Sequence, residues 1–136
     1  MSRRFLAFIP ILVAIVALPT GSIAHTVSSA TKISKAKLPR GTLGPGQRVI
    51  VFGRLTGLDP VCESGRPVQL MRRVPGNDRV LQTDMTDTEG EYYFLRRPRG
   101  DQRLYVRFAG LQEVIPDHLH SCAASVSAQF ELRVSG

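Results

Sequence analysis

The chain has no tryptophan and only two cysteines and three histidines among its 136 residues. It contains no G-x-S-x-G sequence, no H-E-x-x-H sequence and no glycine-rich phosphate-binding loop, so none of the familiar arrangements for nucleophilic, metal-hydrolytic or nucleotide chemistry is present. After residue 24, no segment of ten or more residues keeps the apolar period of a helix. These absences predict a non-helical, non-catalytic protein, and we expect no cofactor.

The first 24 residues have the pattern of an export signal. Arg3 and Arg4 precede an apolar run of 14 residues (5–18), and Ser22 and Ala24 are the small residues that a signal peptidase accepts. A membrane-crossing helix needs about 20 apolar residues, so a retained anchor is the weaker alternative. We therefore predict a signal peptide over 1–24 and a mature protein that is secreted, periplasmic or at the cell surface.

Lysine is also scarce, and 15 of the 18 basic residues are arginine. The formal net charge of the chain is +7. A basic protein attracts acidic partners. Since an exported protein rarely meets nucleic acid, we expect none as a partner, and we consider a cell-envelope polymer or another extracellular protein instead. A merely solvated basic surface is the competing interpretation.

Cys62 and Cys122 are an even pair in a chain predicted to be exported, which favours a disulfide. Such a bond would close a loop of about 60 residues, and the chain-entropy model then predicts a stabilisation of about 4 kcal/mol. Free thiols and metal ligation remain the alternatives.

Short alternating segments separated by turn residues predict an all-β protein: an antiparallel sandwich of about seven strands. The domain boundaries we expect are 25–46 for an N-terminal segment with a possible first strand (31–38) and 47–136 for the sandwich. The remaining strand segments are 48–55 (apolar on both faces, hence central), 67–74 and 79–86 (a hairpin around 75–78), 90–95, 102–108 and 125–134.

For two of these strand segments, the sequence predicts which side chains face the core. Three further segments, between the strands, are predicted to be loops. Segment 102–108 should bury Leu104, Val106 and Phe108. Segment 125–134 should bury Val126, Ala128, Phe130, Leu132 and Val134. The predicted loops are 41–46, 56–65 and 109–124.

One segment carries a resemblance to a known family. Residues 86–94 read Thr-Asp-Thr-Glu-Gly-Glu-Tyr-Tyr-Phe. This stretch is similar to the T-D-x-x-G-x-Y-x-F signature of bacterial exported domains with a transthyretin-like or carboxypeptidase-regulatory-like (prealbumin-like) sandwich, and residues 52–55, 62–70 and 122–125 add to the likeness. In physical terms, Asp87 accepts hydrogen bonds from the turn, Gly90 takes a positive φ, and the aromatic side chains fill the core. The resemblance implies a structural, adhesive or accessory binding module.

Two sets of side chains are candidates for binding. His118, His120 and Cys122 alternate in an extended segment and could hold copper or zinc, and His25 would join them as the first mature residue. A small exported metal-binding protein is therefore the alternative function. The second set is a basic cluster around Tyr105 that could bind an anion: Arg96, Arg97, Arg99, Arg103 and Arg107.

Two weaker hypotheses concern turns. The carboxylates at 84, 87 and 89 lie near Gly90, but their spacing does not match a calcium loop. Arg99-Gly100-Asp101 is a tripeptide found in integrin ligands, and a match of three residues arises easily by chance.

Overall fold

The computed structural model describes residues 25–34, 41–115 and 118–136. The predicted signal peptide (1–24) and the second half of the predicted opening strand (35–38) lie outside the described residues. Within them, the chain forms one short 3-10 helix, Pro60–Cys62, and eleven strands. The strands are β1 (His25–Ser29), β2 (Thr31–Ile33), β3 (Val49–Gly57), β4 (Pro67–Arg72), β5 (Arg79–Met85), β6 (Glu91–Arg96), β7 (Gln102–Phe108), β8 (Leu111–Ile115), β9 (His118–Cys122), β10 (Ser125–Val126) and β11 (Phe130–Leu132).

Two antiparallel sheets form the sandwich. One has the order β2-β3-β6, and the other has the order β10-β7-β4-β5, with β11 also paired to β7. Apolar side chains from both sheets join in a single core. Its members on β3, β4, β6 and β7 are Val49, Val51, Leu55, Val68, Leu70, Tyr92, Phe94, Leu104, Val106 and Phe108. The predicted all-β antiparallel sandwich is confirmed.

The signature segment folds as its residue types predict. The Asp87 carboxylate accepts hydrogen bonds from the backbone N–H groups of Glu89 and Glu91, both at 2.9 Å. Gly90 has a φ of +80°, and a Cβ there would collide with the carbonyl oxygen of Leu55. Tyr92 and Phe94 are fully buried. This turn therefore places two aromatic rings in the core through a backbone conformation that favours glycine.

The expected position of β3 is also confirmed, since it lies between β2 and β6. Its second apolar face, however, remains open to solvent. Ile50 is opposite Leu95 and Phe52 is opposite Tyr93, and all four side chains are exposed. The rings of Phe52 and Tyr93 stack with their centroids 6.4 Å apart.

The prediction of one continuous strand over 125–134 is wrong. Ser127 turns inward, where its backbone N–H donates to the Val106 carbonyl (2.8 Å) and its Oγ accepts from the Val106 N–H (2.9 Å). This side-chain contact interrupts the alternation between β10 and β11, so Val126 and Ala128 are exposed while Phe130 and Leu132 are buried. An interruption that shifts the register by one residue moves side chains to the opposite face.

The predicted loop 109–124 is also wrong over most of its length. It contains a hairpin of β8 and β9, and β1 adds to β9 in parallel to complete a third sheet. The predicted Cys62–Cys122 disulfide is confirmed, with Cα atoms 5.6 Å apart, and it joins the 3-10 helix to the end of β9. In the described part of the chain, no helix is long and apolar enough to cross a membrane.

Candidate functional site

The connections between strands gather at the two ends of the sandwich. One end contains the β4–β5 turn, the β6–β7 turn and the last residues of β11. We call this the arginine end and define it as residues 72–79, 96–103 and 131–133 together with Arg48. At the opposite end lie the 3-10 helix, the turn at 87–90, the disulfide and the third sheet. We call that the disulfide end.

The charges are divided unequally between these regions. The arginine end has nine arginines and three carboxylates, a formal excess of six positive charges: Arg48, Arg72, Arg73, Arg79, Arg96, Arg97, Arg99, Arg103 and Arg133 against Asp78, Asp101 and Glu131. The rest of the described chain has four basic and seven acidic side chains: Lys32, Arg54, Arg66 and Arg107 against Asp59, Glu63, Asp84, Asp87, Glu89, Glu91 and Glu113. Such a separation creates a field that draws anions to one end.

A shallow groove of about 580 Å³ crosses the arginine end. Arg73, Arg103 and Arg133 line it together with Val74, Pro75, Asp101, Gln102, Glu131 and Leu132. Glu131 accepts from Arg133 (3.0 Å) and from Arg103 (3.2 Å), and the two guanidinium groups hold its pKa below the usual range. The three arginine side chains remain more than half exposed, at 53%, 60% and 69%. They are therefore positioned by the protein and still accessible to a ligand.

One of these arginines is held by a small polar cluster. Tyr105 donates its hydroxyl to Asp78 (2.8 Å), and Arg73 donates to the same carboxylate (3.1 Å). The tyrosine hydroxyl, followed by Arg73, holds the pKa of Asp78 below its ordinary value. The guanidinium of Arg73 also lies 5.6 Å from the centre of the Tyr105 ring, within the range of a cation–π contact. This cluster fixes one wall of the groove.

The other arginines at this end lack carboxylate partners. None of Arg48, Arg72, Arg79, Arg97 and Arg99 forms an ion pair with any residue that the structure describes. Arg72 and Arg79 even stand directly opposite each other in the β4–β5 hairpin. Like charges in that position are destabilising. A bound anion would relieve this repulsion.

Two polar atoms at the same end are buried without a hydrogen-bond partner among the described residues. They are Nε of Arg96, at the end of β6, and Oε1 of Gln102, at the start of β7. Buried polar atoms in native proteins nearly always have a partner, which is often a water molecule or a ligand. Gln102 lines the groove together with Arg73, Arg103 and Arg133. Its unpaired Oε1 atom therefore belongs to a residue of the same groove.

The structure brings together four of the five arginines predicted to bind anions. Arg96, Arg97, Arg99 and Arg103 lie at the arginine end, whereas Arg107 lies farther along β7 and donates to Oε1 of Gln69 (2.6 Å). Sequence reasoning missed five others: Arg48, Arg72, Arg73, Arg79 and Arg133. The predicted hairpin could have identified Arg72, Arg73 and Arg79. The Arg99-Gly100-Asp101 tripeptide lies here too, and Oδ1 of Asp101 accepts from the Val134 N–H (2.8 Å).

The histidines lie at the disulfide end. His118 and His120 are on β9, and His25 is on β1 directly opposite His118. His120 Nδ1 is 2.9 Å from Oδ2 of Asp59, while Cys122 is already bonded to Cys62. In the described residues, no three histidine, cysteine or acidic side chains together form a group that could hold a metal ion.

No protein-family model matches the chain. A search of curated proteins likewise finds no match.

Proposed function

We propose that this protein is an exported, non-catalytic β-sandwich module that binds an anionic polymer through its arginine end. One observation carries the proposal: nine arginines from separate parts of the chain meet at one end of the fold with only three carboxylates among them.

The chemistry of the side chains defines the class of ligand. Guanidinium groups donate paired hydrogen bonds that match phosphate and carboxylate oxygens. The groove is open and has three arginines along it, so it suits a chain of repeated anionic groups better than one enclosed small anion. A polymer of the cell envelope that bears phosphate or carboxylate groups has this character.

The proposed location outside the cytoplasm has two supports. The Cys62–Cys122 disulfide is of a kind that persists in oxidising compartments and is rare in the cytosol. Residues 1–24 carry the sequence pattern of a signal peptide. An accessory or adhesive role is also what the resemblance to exported transthyretin-like domains implies, and we keep that family relation as part of the proposal.

The proposal is tested by measuring the affinity for long-chain polyphosphate and for polygalacturonate at several salt concentrations. Each phosphate contact that releases a counterion adds roughly 0.7 to the slope of log K against log salt for a flexible polyanion. We expect the double variant Arg72→Gln/Arg79→Gln to weaken binding and to reduce this slope by about 1 to 1.5.

The matched control removes two positive charges from elsewhere on the molecule. Lys32→Gln/Arg54→Gln changes the net charge by the same amount at two exposed positions outside the arginine end. We expect it to change the slope little. Equal losses in both double variants would mean that only net charge matters, and salt-independent or undetectable binding would refute the proposal.

A further inference from the structure

The outer face of the β2-β3-β6 sheet carries a strip of apolar side chains that point away from the core. Ile50 and Leu95 form one cross-strand pair of this strip, and Phe52 and Tyr93 form the next pair. All four side chains are exposed, and we call them the aromatic strip. The solvated face of an antiparallel sheet is normally polar. Contiguous exposed apolar side chains in such a place are typical of a binding surface.

Tyr93 is both fixed in position and accessible. Its backbone N–H donates to Oδ2 of Asp84 on β5 (2.8 Å), and its hydroxyl donates to Oε2 of Glu91 (3.0 Å). Its ring is nearly parallel to that of Phe52, with 24° between the ring planes and 6.4 Å between the centroids. Even so, 52% of the surface of Tyr93 is exposed. An aromatic ring held in this way contacts a ligand at little cost in conformational entropy.

The aromatic strip continues into the arginine end. Arg48 immediately precedes β3, Arg97 immediately follows β6, and both are exposed. Because the side chains of a strand alternate between its faces, these two positions extend the outward-facing rows that contain residues 50 and 95. At 3.4 Å per residue, Arg97 is about 14 Å from Tyr93 along the strand direction. A polymer bound at the arginine end can therefore reach the aromatic strip.

A polysaccharide with acidic groups matches both parts of this surface. The C–H groups on one face of a pyranose ring carry the same weak positive charge as the edge of an aromatic ring, so they pack against the negative ring face of a tyrosine. Carboxylate groups on the same sugar units accept paired hydrogen bonds from guanidinium groups. The exposed arginines beside the strip thus complement the charge of such a chain.

Two other occupants fit the strip less well. A stable protein interface uses about 20 to 30 residues on each side, whereas the strip has four large apolar side chains. A lipid layer would have to cover the next cross-strand pair as well, which is Arg54 opposite Glu91. Burying those charges is costly.

We propose that the aromatic strip is a sugar-stacking surface and that the anionic polymer bound at the arginine end is a polysaccharide with acidic pyranose units. This inference rests on the proposed function and names the class of polymer. Tyr93 packs against a sugar ring, while Arg48 and Arg97 bind the carboxylates of neighbouring units. Polyphosphate has no sugar ring, so it binds through the arginine end alone.

The test compares the affinities of polygalacturonate and of long-chain polyphosphate for the oxidised, full-length protein and its variants. We expect Tyr93→Ala to weaken polygalacturonate binding by about tenfold and to leave polyphosphate binding unchanged. Tyr93→Phe keeps the ring and should retain most of the affinity for polygalacturonate. Val114→Ala shortens an exposed apolar side chain on β8, at the disulfide end, and should change neither affinity. Circular dichroism establishes that each variant is folded.

The arginine variant separates this inference from the proposed function. Arg72→Gln/Arg79→Gln should weaken the binding of both polymers. If it does so while Tyr93→Ala binds polygalacturonate as tightly as the parent, the sugar-stacking surface is refuted and the proposed function is retained. If the parent binds neither polymer, both proposals are refuted.

The same Tyr93→Ala variant tests the other occupants. Vesicles of phosphatidylglycerol and phosphatidylcholine that bind the parent but not the variant, with equal polygalacturonate affinities for the two proteins, would assign the strip to a membrane surface. A dimer of the parent that the variant loses, measured by analytical ultracentrifugation, would assign the strip to a second copy of the chain. Either result would overturn the sugar-stacking surface.

Discussion

The two ends of this sandwich satisfy their charges in different ways. At the disulfide end, a covalent bond, an Arg66–Glu113 ion pair (2.9 Å) and a His120–Asp59 hydrogen bond (2.9 Å) join the third sheet to the main body. At the arginine end, Arg72 and Arg79 face each other across a hairpin and most guanidinium groups have no carboxylate among the described residues.

Under the proposed function, this difference separates a region that stabilises the fold from a region that contacts a ligand. The disulfide end uses its polar groups to hold strands together, so losing one of them should cost stability. The arginine end keeps its arginine side chains exposed at some cost to stability, so changes to these arginines should mainly affect binding. Four predictions test this contrast, from the largest expected effect to the smallest.

Replacing both cysteines in Cys62→Ser/Cys122→Ser should have the largest effect. The disulfide closes a separation of 60 residues, and its loss should lower the free energy of unfolding by about 4 kcal/mol. Urea denaturation of the oxidised parent and of the variant measures the difference. An unchanged free energy of unfolding would show that the third sheet is held without the bond.

Gly90→Ala should be the next most harmful change. The φ of +80° strains any residue with a side chain, and the new Cβ would also collide with the Leu55 carbonyl oxygen, so we expect a loss of about 3 kcal/mol. Gly76→Ala is the matched control at the arginine end, because its φ is +90° but nothing lies within 4 Å of the added atom. Equal losses at the two positions would contradict this explanation.

Acid should destabilise the Asp78 cluster. The pKa of the Asp78 carboxyl group is lowered in the folded protein, chiefly by the Tyr105 hydroxyl. The resulting stability is therefore present above the unfolded value of 3.8 and is lost as the pH falls through the lower folded pKa. We expect Asp78→Asn to be less stable than the parent at about pH 7 and to lose less stability on acidification. Identical pH profiles from denaturation curves would rule out this role for Asp78.

Tyr92→Phe should have the smallest effect. Burial raises the pKa of Tyr92, and its hydroxyl has no hydrogen-bond partner among the described residues. Removing it should change the stability by less than about 0.5 kcal/mol or increase it. Tyr105→Phe, which loses the bond to Asp78, should cost about 1 kcal/mol. Thermal denaturation compares the two, and a larger loss for Tyr92→Phe would reverse the expectation.

Local patterns were sufficient to predict the parts of the fold that depend on neighbouring residues. The alternation in 102–108 correctly gave the buried face of β7, and the residue types of 87–90 gave the turn that precedes β6. The alternation failed where one polar side chain entered the ladder, because Ser127 bonds to Val106 on another strand. No local pattern in the sequence reports that contact.

The distribution of charge depended on topology and was only partly predictable. The arginines between 96 and 103 are close in sequence and were recognised, but Arg133 reaches them only because β11 pairs with β7. The register of His25 with His118 depends in the same way on a parallel pairing between distant segments. Contacts of this kind require the folded chain.

The most direct measurement of the central claim is an NMR titration of the isotopically labelled, oxidised protein with polyphosphate. The account predicts that backbone signals shift within 72–79, 96–103 and 131–133 and that the shifts diminish as salt is added. Shifts concentrated at residues 59–66, 84–91 and 111–122, or no shifts at a polymer concentration that saturates binding, would contradict it.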